Sequence, residues 1–309
     1  MPSVVVDNIS KSFTAEKKKV LALEDISFDV ARGALFGVIG PDGAGKTTLF
    51  RTLTTLILAD KGTAKVDGFD VVKEYRDIRK RIGYMPGKFS LYQDLTVEEN
   101  LEFFATIFNT TIKENYSLIK EIYQQIEPFK KRRAGKLSGG MKQKLALSCA
   151  LIHRPSVLFL DEPTTGVDAV SRKEFWHMLK QLQKEGITIL VSTPYMDEAA
   201  MCDTVALIQN GKFLSIDTPE GTVSLFKKSL WAVKSDNMYK LQHDLRQYEG
   251  MDSVYPFGEY YHLALNTDKL KQEDISGYLA SKSHHEIEVN PIKAGIEDVF
   301  MELMKSTDD

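Results

Sequence analysis

Few cysteines, almost no net charge and no long apolar run set the first limits on this 309-residue chain. Cys149 and Cys202 lie in apolar or helical stretches without CxxC or Cys/His spacing, so the sequence predicts neither a disulfide framework nor a zinc site. A net charge of -3 removes any general electrostatic attraction to nucleic acid or acidic membranes. No segment reaches about eighteen uninterrupted apolar residues, and no signal peptide is visible. These absences predict a soluble, intracellular chain.

The order of apolar patterns predicts an α/β fold. Residues 3–35 alternate apolar and polar side chains around a charged turn, as antiparallel strands do. The short apolar runs 35–40, 157–161 and 187–192 are separated by helical periodicity, which is typical of a parallel sheet. A helical subdomain is expected between these runs, over about 88–152.

Within that insert, residues 97–126 and 138–152 are predicted to be helical, with Thr96 as an N-cap. After about residue 222 the composition changes, and short strand and helix patterns follow without a glycine-rich loop. The sequence therefore predicts two domains, an α/β domain over 1–222 and a small α+β domain over 223–309.

A glycine-rich loop stands between the first short apolar strand and a helix. It fits the pattern GxxxxGK followed by Ser or Thr, and it comprises Gly40, Pro41, Asp42, Gly43, Ala44, Gly45, Lys46 and Thr47, followed by Thr48. Glycines let backbone N–H groups converge on phosphate oxygens at a helix N-terminus. Lys46 is predicted to reach the β- and γ-phosphates and Thr47 to ligate Mg²⁺, so ATP and Mg²⁺ are the expected cofactors.

The run VLFLDE supplies the second half of a nucleotide site. An apolar strand delivers Asp161 to the expected magnesium shell, and Glu162 follows where a catalytic base can polarise the attacking water. Such a run is a weak signal alone. Together with the glycine-rich loop it predicts phosphoryl transfer from ATP.

The segment Leu137-Ser138-Gly139-Gly140-Met141 resembles the signature loop of the ATP-binding-cassette (ABC) ATPases. Over about residues 3–225, the order of motifs is similar to the ATP-binding subunits of bacterial multidrug, antibiotic and polysaccharide exporters. The resemblance implies a RecA-like mixed sheet, an antiparallel β subdomain and an inserted helical subdomain. It also implies head-to-tail pairing with a second cassette, so that Ser138, Gly139, Gly140 and Met141 bind the partner's nucleotide.

Two further residues match family positions. Phe13 resembles the aromatic residue that stacks on adenine, although a core aromatic at a strand end is the alternative. Asp168, in TTGVD, resembles the residue that links the two ATP sites across the dimer.

Gly87 and Pro194 depart from the family pattern. Glutamine usually stands at the first position and histidine at the second, and neither replacement carries a side-chain donor for the transferring phosphoryl group. The chain's own site is therefore predicted to be degenerate, while its signature is intact and is lent to a partner. Lys88 or Gln93 standing in for the glutamine, and neutral drift in a site that still hydrolyses slowly, are the alternatives.

The resemblance implies an efflux-transporter subunit that energises a separate transmembrane permease from the cytoplasmic face of the membrane. Residues 87–104 are the expected docking surface by the same resemblance. A non-hydrolysing ATP-binding switch and a soluble, non-transport ABC protein are the alternatives. No nucleic-acid partner is expected, since the basic run at 130–133 lacks interleaved aromatics and any RNA motif.

Overall fold

The computed structural model describes residues 1–15, 18–266 and 271–308. They form two compact units, Met1–Pro219 and Glu220–Asp309. Strands β1 to β10 belong to the first unit: Val4–Ala15, Lys18–Val30, Leu35–Ile39, Lys61–Val66, Phe69–Asp70, Ile82–Met85, Val157–Asp161, Thr188–Thr193, Thr204–Gln209 and Lys212–Asp217. Helices α1 to α7 are Lys46–Leu53, Tyr75–Arg81, Val97–Ile107, Ile112–Tyr123, Gly139–Leu151, Ala169–Lys184 and Pro219–Val223.

The first unit contains an antiparallel sheet and a mixed sheet. The antiparallel sheet has the order β2-β1-β4-β5, as the alternating pattern near the N-terminus predicts. The mixed sheet has the order β10-β9-β3-β8-β7-β6, and only the β10-β9 pair in it is antiparallel. The predicted α/β class is confirmed.

The register of the mixed sheet gathers four chain segments at one edge. Ile39 pairs with Thr193, Asp161 pairs with Ser192, and Met85 pairs with Leu160. The carboxyl ends of β3, β6, β7 and β8 are therefore level. In open α/β sheets, ligands bind at this edge.

Buried aromatic side chains fix the first helix against this sheet. Phe50 of α1 and Phe159 of β7 are fully buried, and their rings meet edge to face with centroids 5.8 Å apart. Burying such a side chain contributes about 1.5–3 kcal/mol. The start of α1, and with it the glycine-rich loop, is held in place by this packing.

The insert contains α3, α4 and α5, so the predicted helical stretch 97–126 holds two separate α-helices with a break between them. Thr96 caps α3 as predicted, with a reciprocal capping box to Glu99. Asn109 then adopts a left-handed conformation with φ of 53°, which asparagine tolerates better than most residues and which ends the helix. Thr111 begins α4 with a second capping box, to Glu114.

The second unit alternates strands and helices. Its strands β11 to β14 are Ser229–Lys234, Met251–Phe257, Tyr260–Leu265 and Glu288–Ile292, and its helices α8 to α10 are Met238–Leu245, Gln272–Ser281 and Ile296–Asp308. The sheet is antiparallel with the order β12-β13-β11-β14, so β12 and β14 are its edges. Each edge strand contains a proline, Pro256 in β12 and Pro291 in β14. This is a split β-α-β arrangement.

Two histidines of this unit bind carboxylates within it. Buried His284 has its Nε2 2.9 Å from Asp244 Oδ2, and His262 has its Nδ1 2.6 Å from Asp298 Oδ1. These contacts tie α8 to the segment after α9, and α10 to β13. Among the residues described, no helix is both long and apolar enough to cross a membrane.

Candidate functional site

The glycine-rich loop joins β3 to α1 at the carboxyl edge of the mixed sheet. A Cβ on Gly40 would stand 2.1 Å from the backbone oxygen of Ile208, a clash that admits only glycine. Gly45 caps α1 with φ of 110°, and a Cβ there would stand 2.5 Å from the backbone oxygen of Ala22. The loop is therefore packed against two neighbouring segments and is tightly constrained at both ends.

Lys46, the first residue of α1, has a buried side chain. Its Nζ donates to the backbone oxygens of Gly40 at 2.7 Å and Pro41 at 2.9 Å, and forms an ion pair with Glu162 Oε1 at 3.0 Å. These acceptors hold the ammonium between the loop and Glu162. Phosphate oxygens are stronger partners for that charge than backbone carbonyls, so the position suits the predicted phosphate contact.

The two predicted magnesium ligands meet in the structure, although they lie far apart in sequence. Thr47 Oγ1 donates to Asp161 Oδ1 at 3.1 Å, and Ser192 Oγ donates to the same oxygen at 2.7 Å. Asp161 is 2% exposed. A threonine hydroxyl and a carboxylate are hard oxygen donors of the kind that Mg²⁺ prefers, so these residues fit the ion.

Glu162 has a strained backbone conformation that hydrogen bonds to Ser192 stabilise. Its φ of 50° lies in the left-handed region, which costs about 1–3 kcal/mol for a residue other than glycine. Its backbone N–H lies 3.1 Å from Ser192 O and 3.0 Å from Ser192 Oγ. Ser192 thus positions both acidic residues, and sequence reasoning missed it. Its signal was a serine at the end of the buried apolar run 187–192.

Both departures from the family pattern lie at this same edge. A Cβ on Gly87 would stand 3.1 Å from the backbone oxygen of Asp161 and 3.8 Å from Glu162 Cβ. Pro194 directly follows Thr193, whose backbone oxygen accepts from Gly40 N at 3.3 Å. The positions without a donor therefore adjoin the predicted magnesium and phosphate contacts.

The two proposed substitutes for the missing glutamine lie in the loop after β6. Lys88 is exposed, and the backbone oxygen of Gln93 accepts from Gly135 N at 2.9 Å. In residues 1–15, 18–266 and 271–308, no hydrogen bond or ion pair joins either side chain to Lys46, Thr47 or Asp161.

The predicted signature opens α5. Ser138 is the N-cap, and its Oγ accepts from Met141 N at 3.4 Å. Ser138 and Gly139 are exposed, and Gly140 is half-buried. Across the described part of the chain, no hydrogen bond or ion pair joins Ser138 to Lys46 or to Asp161.

Asp168 lies beside the signature as the N-cap of α6. Its Oδ1 accepts from the backbone N–H of Ser171 at 3.0 Å, and that hydrogen bond lowers the pKa of the Asp168 carboxyl. A Cβ on Gly140 would stand 3.0 Å from Ser171 Oγ. The start of α6 and the start of α5 are therefore in close contact.

Phe13 is exposed, so the alternative that it is a core aromatic residue is wrong. Its side chain is 43% exposed on β1, and Lys11 Nζ lies 5.5 Å from the ring centroid. Its register partner Val20 and the neighbouring Leu21 are also exposed. Phe13 and Val20 are register partners on one face of the sheet, so together they offer an apolar surface on which a flat ring can stack.

A cavity of about 410 Å³ opens beside Gly87, between the end of β6 and the helical insert. Apolar and aromatic side chains supply much of its wall, among them Phe89, Phe104 and Phe108. On α3, Phe103 is 36% exposed and its ring packs edge to face on exposed Tyr92, with centroids 4.8 Å apart. This face of the insert is an exposed aromatic surface.

Comparisons with known proteins agree with the geometry. Residues 23–165 match the family model described as ABC transporter. The ABC transporter ATP-binding protein NatA of Bacillus subtilis is 36% identical over 215 residues, which cover 68% of this chain and 87% of NatA. The probable multidrug ABC transporter ATP-binding protein YbhF of Escherichia coli is 38% identical over 307 residues, which cover 97% of this chain and 52% of YbhF. The chain thus spans about half the length of YbhF.

A solved structure gives the same result for the fold. The ATP-binding subunit of an ABC transporter superposes with a TM-score of 0.64 at 26% identity, covering 72% of this chain and 92% of that one.

Proposed function

Because the chain belongs to the family of ABC transporter ATP-binding proteins, we propose that it binds Mg-ATP and energises a separate membrane permease of the multidrug-export type. The observation that carries this proposal is the assembled phosphate site, in which Lys46, Thr47 and Asp161 lie within hydrogen-bond reach of the loop or of one another. The printed name of YbhF supports the export class.

The chain's own site binds ATP but hydrolyses it slowly. Gly87 and Pro194 adjoin the Asp161 and Lys46 contacts, and neither residue can offer a side-chain hydrogen bond there. Removing one preorganised donor costs about 10²–10³ in turnover. Glu162 remains as the catalytic base, already in an ion pair with Lys46.

The intact signature serves a second cassette. Ser138 and Gly139 are exposed at a helix N-terminus, where backbone N–H groups and the helix dipole favour a phosphate. Pairing head to tail would place them on the nucleotide of a partner with a complete set of donors. The pair is then asymmetric, with one site that clamps ATP and one that turns it over.

The aromatic face of the insert is the permease-docking surface. It comprises Tyr92, Phe103 and the mouth of the cavity beside Gly87, so a permease segment bound there would adjoin the magnesium site. This interaction would hold the protein at the cytoplasmic face of the membrane. Residues 1–222 form the cassette in this proposal, and 223–309 form an accessory domain.

Equilibrium binding and steady-state phosphate release by the purified chain test the site. We expect Mg-ATP binding that Lys46→Ala abolishes, together with turnover below about 1 s⁻¹, the low end for enzymes. Faster turnover would refute the degenerate site. No measurable turnover, even with a partner cassette, would favour the alternative of a non-hydrolysing switch. That alternative is supported by the lack of a side-chain donor at both Gly87 and Pro194.

Coexpression with a candidate exporter permease that copurifies with the wild-type chain tests the docking surface. Phe103→Glu should abolish copurification, because it places a charge in the aromatic contact. Phe129→Glu is the matched control, since Phe129 is also 36% exposed in the insert but lies outside residues 87–104, the expected docking surface. Equal loss with both variants, or with neither, would contradict the assignment.

A further inference from the structure

Glu198 is a buried carboxylate that the proposed chemistry does not use. It is 3% exposed, and its Oε2 accepts from Thr193 Oγ1 at 2.5 Å and from Thr164 Oγ1 at 3.1 Å. Thr193 directly precedes Pro194, and Thr164 lies two residues after Glu162. One carboxylate oxygen therefore fixes two segments that border the phosphate site.

The other oxygen of Glu198 binds a helix on the far side. Arg172 Nε lies 3.2 Å from Glu198 Oε1, and a second guanidinium nitrogen lies 2.9 Å from Asp197 Oδ2. The same guanidinium lies over the ring of Tyr195, 4.2 Å from its centroid. Arg172 belongs to the first turn of α6, and its backbone N–H donates to Asp168 O at 2.9 Å. The start of α6 is thus attached to Glu198.

That same turn touches the signature. Ser171 Oγ stands 3.0 Å from the position of a Cβ on Gly140, and Gly166 O stands 3.6 Å from a Cβ on Gly139. A continuous series of contacts therefore runs from Thr164 and Thr193, through Glu198, to the residues that open α5.

We propose that Glu198 is a positioning residue that joins the chain's own phosphate site to its signature through Arg172. The inference rests on the proposed function, in which those two places bind different nucleotides. A buried carboxylate held by an ion pair and two hydroxyls has one well-defined position, so its segments move together. When ATP occupies the chain's own site, the signature is consequently held in the geometry that a partner's nucleotide needs.

Hydrogen exchange of the full chain, with and without magnesium and the non-hydrolysable analogue AMP-PNP, tests this connection. In the wild-type protein we expect binding to slow amide exchange about fivefold or more in residues 138–143, the lower end of typical coupling between sites. Glu198→Gln keeps the shape of the side chain and one acceptor oxygen for the two threonine hydroxyls, but it removes the charge and replaces the oxygen that faces Arg172 with an NH2 donor. It should still bind AMP-PNP, because Glu198 does not contact Lys46, Thr47 or Asp161, and it should lose the protection of 138–143.

Arg172→Met removes the other partner of the ion pair. Because Arg172 is more exposed than Glu198, this variant is less disruptive to folding, so the test does not depend on one variant. It should also lose the protection, and the double variant should lose no more than either single one, as expected for one shared interaction. Lys144→Met is the control. It removes the ion pair of Lys144 with Glu174, which also joins α5 to α6 but lies outside this series of contacts, and it should retain the protection.

Protection that persists in Glu198→Gln and in Arg172→Met would overturn the inference while leaving ATP binding established. The inference would also fall if wild-type protein bound AMP-PNP without any change at 138–143. Failure of the wild-type protein to bind AMP-PNP is a separate result, since it would refute the proposed function itself.

Discussion

Pro194→His should restore part of the missing catalysis at the chain's own site. Residue 194 follows the end of β8, where Thr193 is fixed by Glu198 on one side and by Gly40 N on the other. Any residue can adopt the backbone φ of about -65° that proline imposes. A histidine there gains a side-chain donor beside the phosphate site without a change in the surrounding backbone.

The size of the effect follows from the number of missing donors. One preorganised donor contributes at most about 10²–10³ in rate. Gly87 still lacks a side chain in this variant, so we expect a smaller gain, about tenfold, which lowers the activation free energy by about 1.4 kcal/mol. Adding Gly87→Gln should raise turnover further, although its Cβ would stand 3.1 Å from Asp161 O and require a small shift.

Steady-state phosphate release at saturating Mg-ATP measures the gain in turnover. The assay is run over a range of protein concentration, because a second copy of the chain must supply the signature. Pro194→Ala is the control. Like Pro194→His, it raises the conformational entropy of the unfolded chain and so lowers the stability by about 0.4–1 kcal/mol, but it adds no side-chain donor. If Pro194→His bound ATP and remained as slow as Pro194→Ala, the missing histidine would not explain slow turnover, and the reasoning would be refuted.

Three further predictions concern the other parts of the site. In the reconstituted transporter, Ser138→Arg should abolish most ATPase activity because it blocks the site of the partner's nucleotide. Lys46→Ala should reduce the activity only to the extent that ATP bound at the chain's own site helps the two cassettes to close. Equal losses would refute an asymmetric pair. A chain truncated after Leu225 should retain ATP affinity in a binding titration, since the Lys46, Thr47 and Asp161 contacts lie within Met1–Pro219; a folded but non-binding product would contradict this division. Phe13→Ala should weaken ATP binding about tenfold, because stacking on a base contributes roughly 1–3 kcal/mol; unchanged affinity would remove Phe13 from the site, and Phe13→Tyr should retain binding.

Patterns with a strict local cause were predictable from the sequence. The strand, glycine-rich loop and helix around Lys46 follow from apolar periodicity and from glycines that no other residue can replace. Thr96 was recognisable as a cap because its partner Glu99 stands three residues later. The same reasoning missed the break at Asn109, since the turn there depends on one left-handed residue inside an otherwise periodic stretch.

Contacts between distant segments were not predictable in this way. Ser192 meets Asp161 because β8 pairs with β7 in one particular register, and a single sequence does not give that register. The Glu198 side chain has three partners, Thr164, Arg172 and Thr193, in three separate segments, and nothing in the run MDEAA marks it as buried. The sequence located the motifs, whereas the residues that orient them became visible only in the structure.

The prolines at the two edges of the second unit's sheet limit how that unit can meet other proteins. An open edge offers unpaired N–H and C=O groups to a strand from another chain, and proline removes one of those N–H groups. With Pro256 in β12 and Pro291 in β14, both edges resist growth of the sheet into a neighbour. A partner of residues 220–309 is therefore expected to bind side chains on a helix or on the β12–β13 hairpin, where Phe257 is exposed, and to leave the sheet closed.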